Sequence, residues 1–96
     1  MYAVVNHLHF NRPAAEFSAA VQDSGGPRLA QERGFRQIYF VQEAEDQGII
    51  IILWDDAASA AAGAQSFGPT WFHENIMPHL ASPQNRSAGE VLASYP

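Results

Sequence analysis

Residues whose side chains could do chemistry lie in two parts of the chain. The first is Asn6, which alternates with Val4 and Leu8 in an otherwise apolar N-terminal stretch. A carboxamide on that apolar strand face needs hydrogen-bond partners, because burying it without them costs free energy. Two interpretations stay open for Asn6. Its side chain bonds a helix backbone carbonyl, or it orients an oxygen atom of a bound small molecule or of dioxygen.

The second part is the densest cluster of aromatic and titratable residues, at Trp71, Phe72, His73, Glu74 and His79. A histidine titrates near neutral pH and could serve as a base toward a phenolic or enolic substrate. Helical spacing places Trp71 near Ile76 and Leu80 but turns His73 elsewhere, so one pocket cannot contain the whole cluster. Adjacent Trp and Phe residues in a helix also belong more often to a core than to a ligand site.

His7 and His9 alternate on the opposite face of the strand that carries Asn6. Two histidines at this spacing can hold a metal ion if a third ligand is near. No carboxylate or third histidine is obviously placed beside them. We therefore predict hydrogen-bonded interface histidines and no metal site.

A second predicted strand carries Arg36 and Tyr39 on opposite faces, with Phe35 and Gln37 on the face of Tyr39. At most one of Arg36 and Tyr39 can therefore join the pocket of Asn6, and Tyr39 is the better candidate. Arg36 is more simply explained as the partner of an acid such as Glu90 at a subunit interface.

The hydrophobic pattern predicts the elements that must position these residues. Strands are expected over residues 2–10, 34–43, 49–54 and 86–95. Helical regions are expected over 14–22, with a short piece at 27–33, and over 57–67, with a second piece at 70–80; glycines at 25–26 and 68 break each region in two. This order predicts an α+β, ferredoxin-like βαββαβ domain, with both helices on one face of an antiparallel four-stranded sheet.

Four consecutive isoleucines, Ile49 to Ile52, precede Leu53 and Trp54. A strand that is apolar on both sides should be covered on both faces. Because a chain of 96 residues can hardly supply that second layer itself, the pattern predicts a homodimer. Asp55 and Asp56 then cap an alanine-rich helix whose small residues, Gly63 included, permit close packing or leave space.

The composition predicts one soluble domain over residues 1–96. A formal charge of -5 disfavours nucleic acid and anionic membrane surfaces as partners. The chain has no cysteine, and its longest apolar run is too short to span a bilayer. We expect a cytoplasmic location. The sequence also has no phosphate-binding loop, serine nucleophile elbow or nucleotide fingerprint.

Several of these features, taken in order, resemble the antibiotic biosynthesis monooxygenase family of the dimeric α+β barrel superfamily. They are Asn6, the stretch Glu32-Arg33-Gly34-Phe35, the strand that closes on Trp54, the Asp55-Asp56 pair before a helix, and the stretch 86–91. The resemblance implies a dimeric α+β barrel. It also implies a small-molecule pocket between the sheet and the second helical region, near Asn6 and residues 67–80.

The function implied by this resemblance is cofactor-independent oxygenation of an electron-rich aromatic molecule such as an anthrone or quinol. Asn6, His73 and His79 would then be catalytic, and the substrate would contact Tyr39, Phe67, Trp71, Phe72 and Ile76. One alternative is a dimer that binds a small molecule without catalysis. Another is haem binding or degradation, but the helix tryptophan of the haem-degrading branch would align near Ala62 and Gly63, so Trp71 is not its simple equivalent.

Overall fold

The computed structural model describes residues 1–96. Its four strands are β1 (Tyr2–His9), β2 (Phe35–Ala44), β3 (Gln47–Trp54) and β4 (Asn85–Glu90). They form one antiparallel sheet in the order β2-β3-β1-β4, in which both β1 and β3 have neighbours on two sides. The helices pack on one face of this sheet. The predicted α+β, ferredoxin-like order of elements is confirmed.

The first helical region is continuous, with segments at Ala14–Phe17 (3-10), α1 at Ser18–Ala20, a π segment at Val21–Gly25 and α2 at Gly26–Leu29. The predicted break near residues 23–26 is therefore wrong. Gly25 and Gly26 keep right-handed helical backbone angles. Gly25 instead allows close packing, since a Cβ there would lie 2.9 Å from Cη2 of Trp71.

The second helical region begins with α3 (Ala57–Phe67), as predicted. Asp56 caps it by accepting a hydrogen bond of 2.7 Å from the backbone N–H of Ser59. The predicted break at Gly68 is wrong, because Gly68 keeps right-handed helical backbone angles and α3 runs directly into a π segment that contains Pro69. The region comprises the π segment Gly68–Phe72, α4 at His73–Asn75 and a 3-10 turn at Met77–His79.

The ends of the sheet also differ from expectation. β4 ends at Glu90, so the predicted strand through residue 95 is too long. In β2, a register shift between Phe35 and Gln37 turns Phe35 toward the face of Trp54, to which it packs edge-on at 5.9 Å. The expectation that Phe35 shares a face with Gln37 is therefore wrong, because a bulge interrupts the alternation.

The helix-covered face of the sheet carries the core. β1 contributes Val4, Asn6 and Leu8, and β3 contributes Ile50, Ile52 and Trp54. Asn6 is the one buried polar residue. The opposite face is open and apolar: Ile49, Ile51 and Leu53 are half-buried, and the side chains of Tyr39 and Val41 on β2 are exposed. In a single chain β3 is thus covered on one face only.

No helix of the structure combines the length and the apolar character that crossing a membrane requires.

Candidate ligand-binding site

A cavity of about 160 Å³ lies between the sheet and the second helical region. β1 and β3 supply its floor, and α3 with the π segment after it supplies its roof. Most of its lining is apolar. The lining residues are Val4, Asn6, Leu29, Ile50, Ile52, Trp54, Ala60, Gly63, Ala64, Phe67, Gly68, Phe72, Gln84 and Arg86.

Asn6 is the central polar group of this cavity. Its residue is 9% exposed, and its Oδ1 is buried without any hydrogen-bond partner. Alternation along β1 places it between Val4 and Leu8 on the core face. Leaving a buried carbonyl unpaired costs about 1–3 kcal/mol. The interpretation in which the side chain bonds a helix is not realised, and Asn6 belongs to the lining of the cavity.

Arg86 provides the only formal charge in the lining. It lies directly opposite Asn6 in the pairing of β1 with β4. Arg12, Arg28 and Arg36 each pair with a carboxylate, but Arg86 pairs with none. Its residue is exposed, so the guanidinium lies at the open side of the cavity and is free to meet an anion.

Trp54 and the small residues of α3 shape the apolar part of the cavity. A Cβ at position 63 would lie only 2.1 Å from Cη2 of Trp54, so the indole occupies the space that Gly63 leaves. Ala60 and Ala64 lie one turn apart on the same helix and also line the cavity. The small residues of α3 therefore allow close packing, at Gly63, and also leave space for the cavity, as the sequence suggested.

The predicted aromatic contacts divide between cavity and core. Phe67 and Phe72 line the cavity. Trp71 is buried but turned away, because its indole N–H donates a 2.8 Å hydrogen bond to Ser24 Oγ and its ring stacks on Phe67 at 5.3 Å. Ile76 is fully buried in the core and does not line the cavity. The assignment of Trp71 and Ile76 as pocket residues is thus corrected.

Three further predicted site residues lie outside the cavity. Tyr39 is on the open face of the sheet, paired with Ile51, so it cannot reach Asn6. His73 is exposed, and His79 packs on Phe17 with 5.2 Å between ring centres. The π segment before them adds residues to a turn, which rotates the following side chains away from the positions that regular helical spacing gives. No histidine or carboxylate lines the cavity.

The remaining charged groups tie elements together. Arg28 and Ser66 both bond the Glu32 carboxylate, at 2.8 and 2.6 Å, which joins the two helical regions beside the cavity. The hydrogen bond from Ser66, followed by that from Arg28, lowers the pKa of Glu32. Arg36 pairs with Asp55 rather than with Glu90 as expected, because both lie near the bulge of β2.

The two strand histidines do not build a metal site. Nε2 of His9 lies 2.9 Å from Oδ2 of Asp46, so this histidine joins the end of β1 to the turn between β2 and β3. No group of three or more His, Asp or Glu side chains lies close enough to hold a metal ion.

Sequence reasoning missed Arg86, Gln84 and Trp54 as cavity residues. The sequence presents Arg86 only as part of a C-terminal pattern, and Trp54 only as the end of a strand. The pairing of β4 with β1 carries the missing signal, because it sets Arg86 beside Asn6. That register cannot be read from β4 itself, whose sequence Asn85–Glu90 has no apolar alternation.

Fold and cavity together define a ferredoxin-like α+β domain with a small, mostly apolar cavity under its second helical region. No protein-family model matches the sequence, and no curated protein matches it. Solved structures do match over nearly the whole chain. A protein of unknown function from Nitrosomonas europaea has 21% identity and a TM-score of 0.79, and the match covers 98% of this chain and 91% of that one.

Two further matches have described activities or ligands. SnoaB, a cofactor-independent oxygenase from Streptomyces nogalater, has 15% identity and a TM-score of 0.78, with 99% of this chain and 96% of that chain covered. The monooxygenase ActVA-Orf6 of Streptomyces coelicolor, in complex with nanaomycin D, has 14% identity and a TM-score of 0.73, with 97% and 92% covered. Solved structures named as antibiotic biosynthesis monooxygenases also match, so the chain has the fold of those proteins.

Proposed function

We propose that this protein binds an electron-rich hydroxyaromatic molecule in the Asn6 cavity and oxygenates it with dioxygen, without a cofactor. The observation that carries the proposal is the carboxamide of Asn6, which lies in the lining of an apolar cavity and whose Oδ1 has no hydrogen-bond partner. A ligand hydroxyl both donates and accepts hydrogen bonds, so it satisfies either end of the carboxamide. The structural likeness to SnoaB, a cofactor-independent oxygenase, supports the choice of reaction.

The chemistry needs an ionised substrate. Loss of a proton from a phenolic or enolic hydroxyl places negative charge on the oxygen and on a ring carbon, and that carbon can transfer electrons to dioxygen. A C–O bond then forms, the C–H bond at the same carbon breaks, and the O–O bond breaks. One oxygen atom enters the product as a carbonyl and the other leaves as water, so the four electrons that the substrate loses reduce one dioxygen molecule.

The cavity residues suit the ionisation step more than a proton transfer by a side chain. Neither His73 nor His79 lines the cavity, so the role of base that the sequence suggested is not retained for them. Arg86 favours the anionic form of a substrate by its positive charge, and Asn6 orients the substrate oxygen. The proton itself passes to solvent at the open side, where Arg86 lies.

Oxygen consumption tests this function. Purified protein is mixed with a panel of quinols and anthrones, and the product mass is measured after reaction under labelled dioxygen. The proposal expects one labelled oxygen atom per product molecule, at a rate above that of spontaneous oxidation. Asn6→Leu should reduce that rate to the spontaneous level, while Asn11→Leu, at an exposed position, should not change it. An equal rate in both variants would contradict the proposal.

A second candidate function is binding without catalysis. One observation favours it, since no imidazole or carboxylate lines the cavity to act as a general base. Saturable binding of a hydroxyaromatic that is recovered unchanged under air would support this candidate over the oxygenase.

The third alternative, haem binding, does not fit the residues present. An axial ligand would have to come from a histidine, methionine or tyrosine that faces the cavity, since the chain has no cysteine, and none of these residues lines it. A haemin titration should accordingly give no saturable change in visible absorbance.

We infer that the working form is a homodimer with the open sheet faces packed together. Ile49, Ile51 and Leu53 are only half-buried in the single chain, and Tyr39 and Val41 are 50% and 42% exposed. A contiguous apolar sheet face of this kind is typical of an interface. Both Asn6 and its cavity lie on the other face, so each copy would hold a separate site.

A further inference from the structure

We infer that the occupant of the Asn6 cavity is a single-ring hydroxyaromatic molecule with an acidic substituent, and that Trp54 sets this size limit. The inference rests on the proposed function, because it narrows the class of molecule that the same site takes. Three observations support it: the cavity volume, the fixed position of the Trp54 indole, and the unpaired charge of Arg86 beside Asn6.

The cavity volume matches one aromatic ring. At about 160 Å³ it is close to an engineered apolar cavity of about 150 Å³ that binds benzene. Pockets for larger, drug-sized ligands commonly measure about 300–1,000 Å³. A molecule with two or three fused rings would therefore fit inside this volume only if a lining side chain moved.

Trp54 is the largest side chain in the lining that such a molecule would meet. Its residue is 2% exposed, and its ring is held between two neighbours. Phe35 packs edge-on against it at 5.9 Å, and Gly63 lies so close that an added Cβ would be 2.1 Å from Cη2. The indole cannot move toward α3, because it already packs against the backbone at Gly63, where there is no side chain left to remove. The position of the Trp54 ring is therefore fixed.

The polar groups indicate how the ring would be substituted. Asn6 and Arg86 are direct partners across the β1–β4 pairing, and Cα atoms of such partners lie about 4.5–5.5 Å apart. Two substituents of one ring can thus meet both side chains. A hydroxyl would pair with the carboxamide of Asn6, and a carboxylate would meet the guanidinium of Arg86, whose five donors suit a planar anion.

Calorimetric titration without oxygen tests the inference, because it measures binding with no turnover. The probes are gentisate, which has one ring, two hydroxyls and a carboxylate; unsubstituted hydroquinone; and a dihydroxynaphthoate, which has two fused rings. For the unmodified protein we expect gentisate to bind at least tenfold more tightly than the naphthoate. We expect hydroquinone to bind about fivefold more weakly than gentisate, since a partly exposed ion pair contributes up to about that factor.

Variants separate the two parts of the inference. Trp54→Phe should reduce the ratio of the naphthoate and gentisate dissociation constants at least tenfold, because phenylalanine lacks the part of the indole that faces Gly63. Arg86→Met should abolish the difference between gentisate and hydroquinone. Ala64→Leu, which adds bulk to the cavity lining at an exposed position of α3, should weaken gentisate at least tenfold, whereas Ala62→Leu, also exposed on α3 but outside the lining, should leave it unchanged.

The outcomes distinguish this inference from the proposed function. If the naphthoate binds the unmodified protein as tightly as gentisate, the size limit is overturned while the proposed function stands. If Ala64→Leu and Ala62→Leu weaken gentisate binding equally, the ligand does not occupy this cavity, and the inference fails. This comparison does not depend on whether Trp54→Phe folds. If no hydroxyaromatic probe binds, the proposed function fails together with the inference.

Discussion

Replacing Asn6 with leucine should stabilise the empty protein while weakening ligand binding. Leucine has nearly the shape of asparagine but no polar atoms, and the neighbours Val4, Leu8 and Ile50 are all apolar. The substitution removes a buried Oδ1 that has no partner. Since an unpaired buried acceptor costs about 1–3 kcal/mol, the free energy of unfolding should rise by at least about 1 kcal/mol.

Thermal unfolding measures this gain. For a domain of this size each kcal/mol shifts Tm by about 4–8 °C, so Asn6→Leu should raise Tm by at least about 4 °C. Protein concentrations must be equal, because the Tm of a dimer depends on concentration. In the same variant the affinity for gentisate should fall at least tenfold, which corresponds to about 1.4 kcal/mol for the lost hydrogen bond.

The matched control is Asn11→Leu, which removes a carboxamide at an exposed position. It should change neither Tm nor affinity appreciably. A loss of about 1 kcal/mol or more in Asn6→Leu, with Asn11→Leu unchanged, would refute the reasoning. It would mean that Asn6 already has a partner in the empty protein and serves the fold.

Three further predictions concern packing, pH and assembly. Gly63→Ala should destabilise the protein by about 1–3 kcal/mol in urea unfolding, because its methyl group would lie 2.1 Å from Trp54, whereas Gly89→Ala, with nothing within 4 Å, should not. The pKa of Glu32 is lowered in the folded state by the hydrogen bonds from Ser66 and Arg28, so the ionised carboxylate stabilises the fold at neutral pH, and this stabilisation is lost as the pH falls through that pKa. The difference in unfolding free energy between the unmodified protein and Glu32→Gln should therefore shrink on acidification. A difference that stays constant with pH would contradict this. Ile51→Lys on the open face should give a monomer in sedimentation equilibrium, whereas Ala61→Lys, exposed on α3, should remain a dimer; a monomeric unmodified protein would contradict the dimer.

Much of the fold is readable from the sequence because local signals agree with each other. The isoleucine strand, the Asp56 cap and the extent of α3 follow from hydrophobic pattern and capping chemistry. The glycine breaks failed for a physical reason. Gly25 serves to admit the Trp71 ring, which is a contact between distant parts of the chain that no local pattern contains.

The site is less predictable than the fold. Asn6 could be identified because a single polar residue interrupts an apolar strand face. The histidines could not be placed, since the π segment Gly68–Phe72 rotates the side chains after it and leaves His73 exposed. Arg86 needed the strand register, which depends on pairing with β1 rather than on the sequence of β4.

The most direct test of the central claim is the side-chain NMR signal of the Asn6 carboxamide during titration with gentisate in the absence of oxygen. If the carboxamide binds the ligand, its two N–H resonances should shift saturably, with the same dissociation constant as calorimetry gives, and Asn11 should not shift. Saturable binding that leaves the Asn6 resonances in place would contradict the claim that this residue holds the ligand.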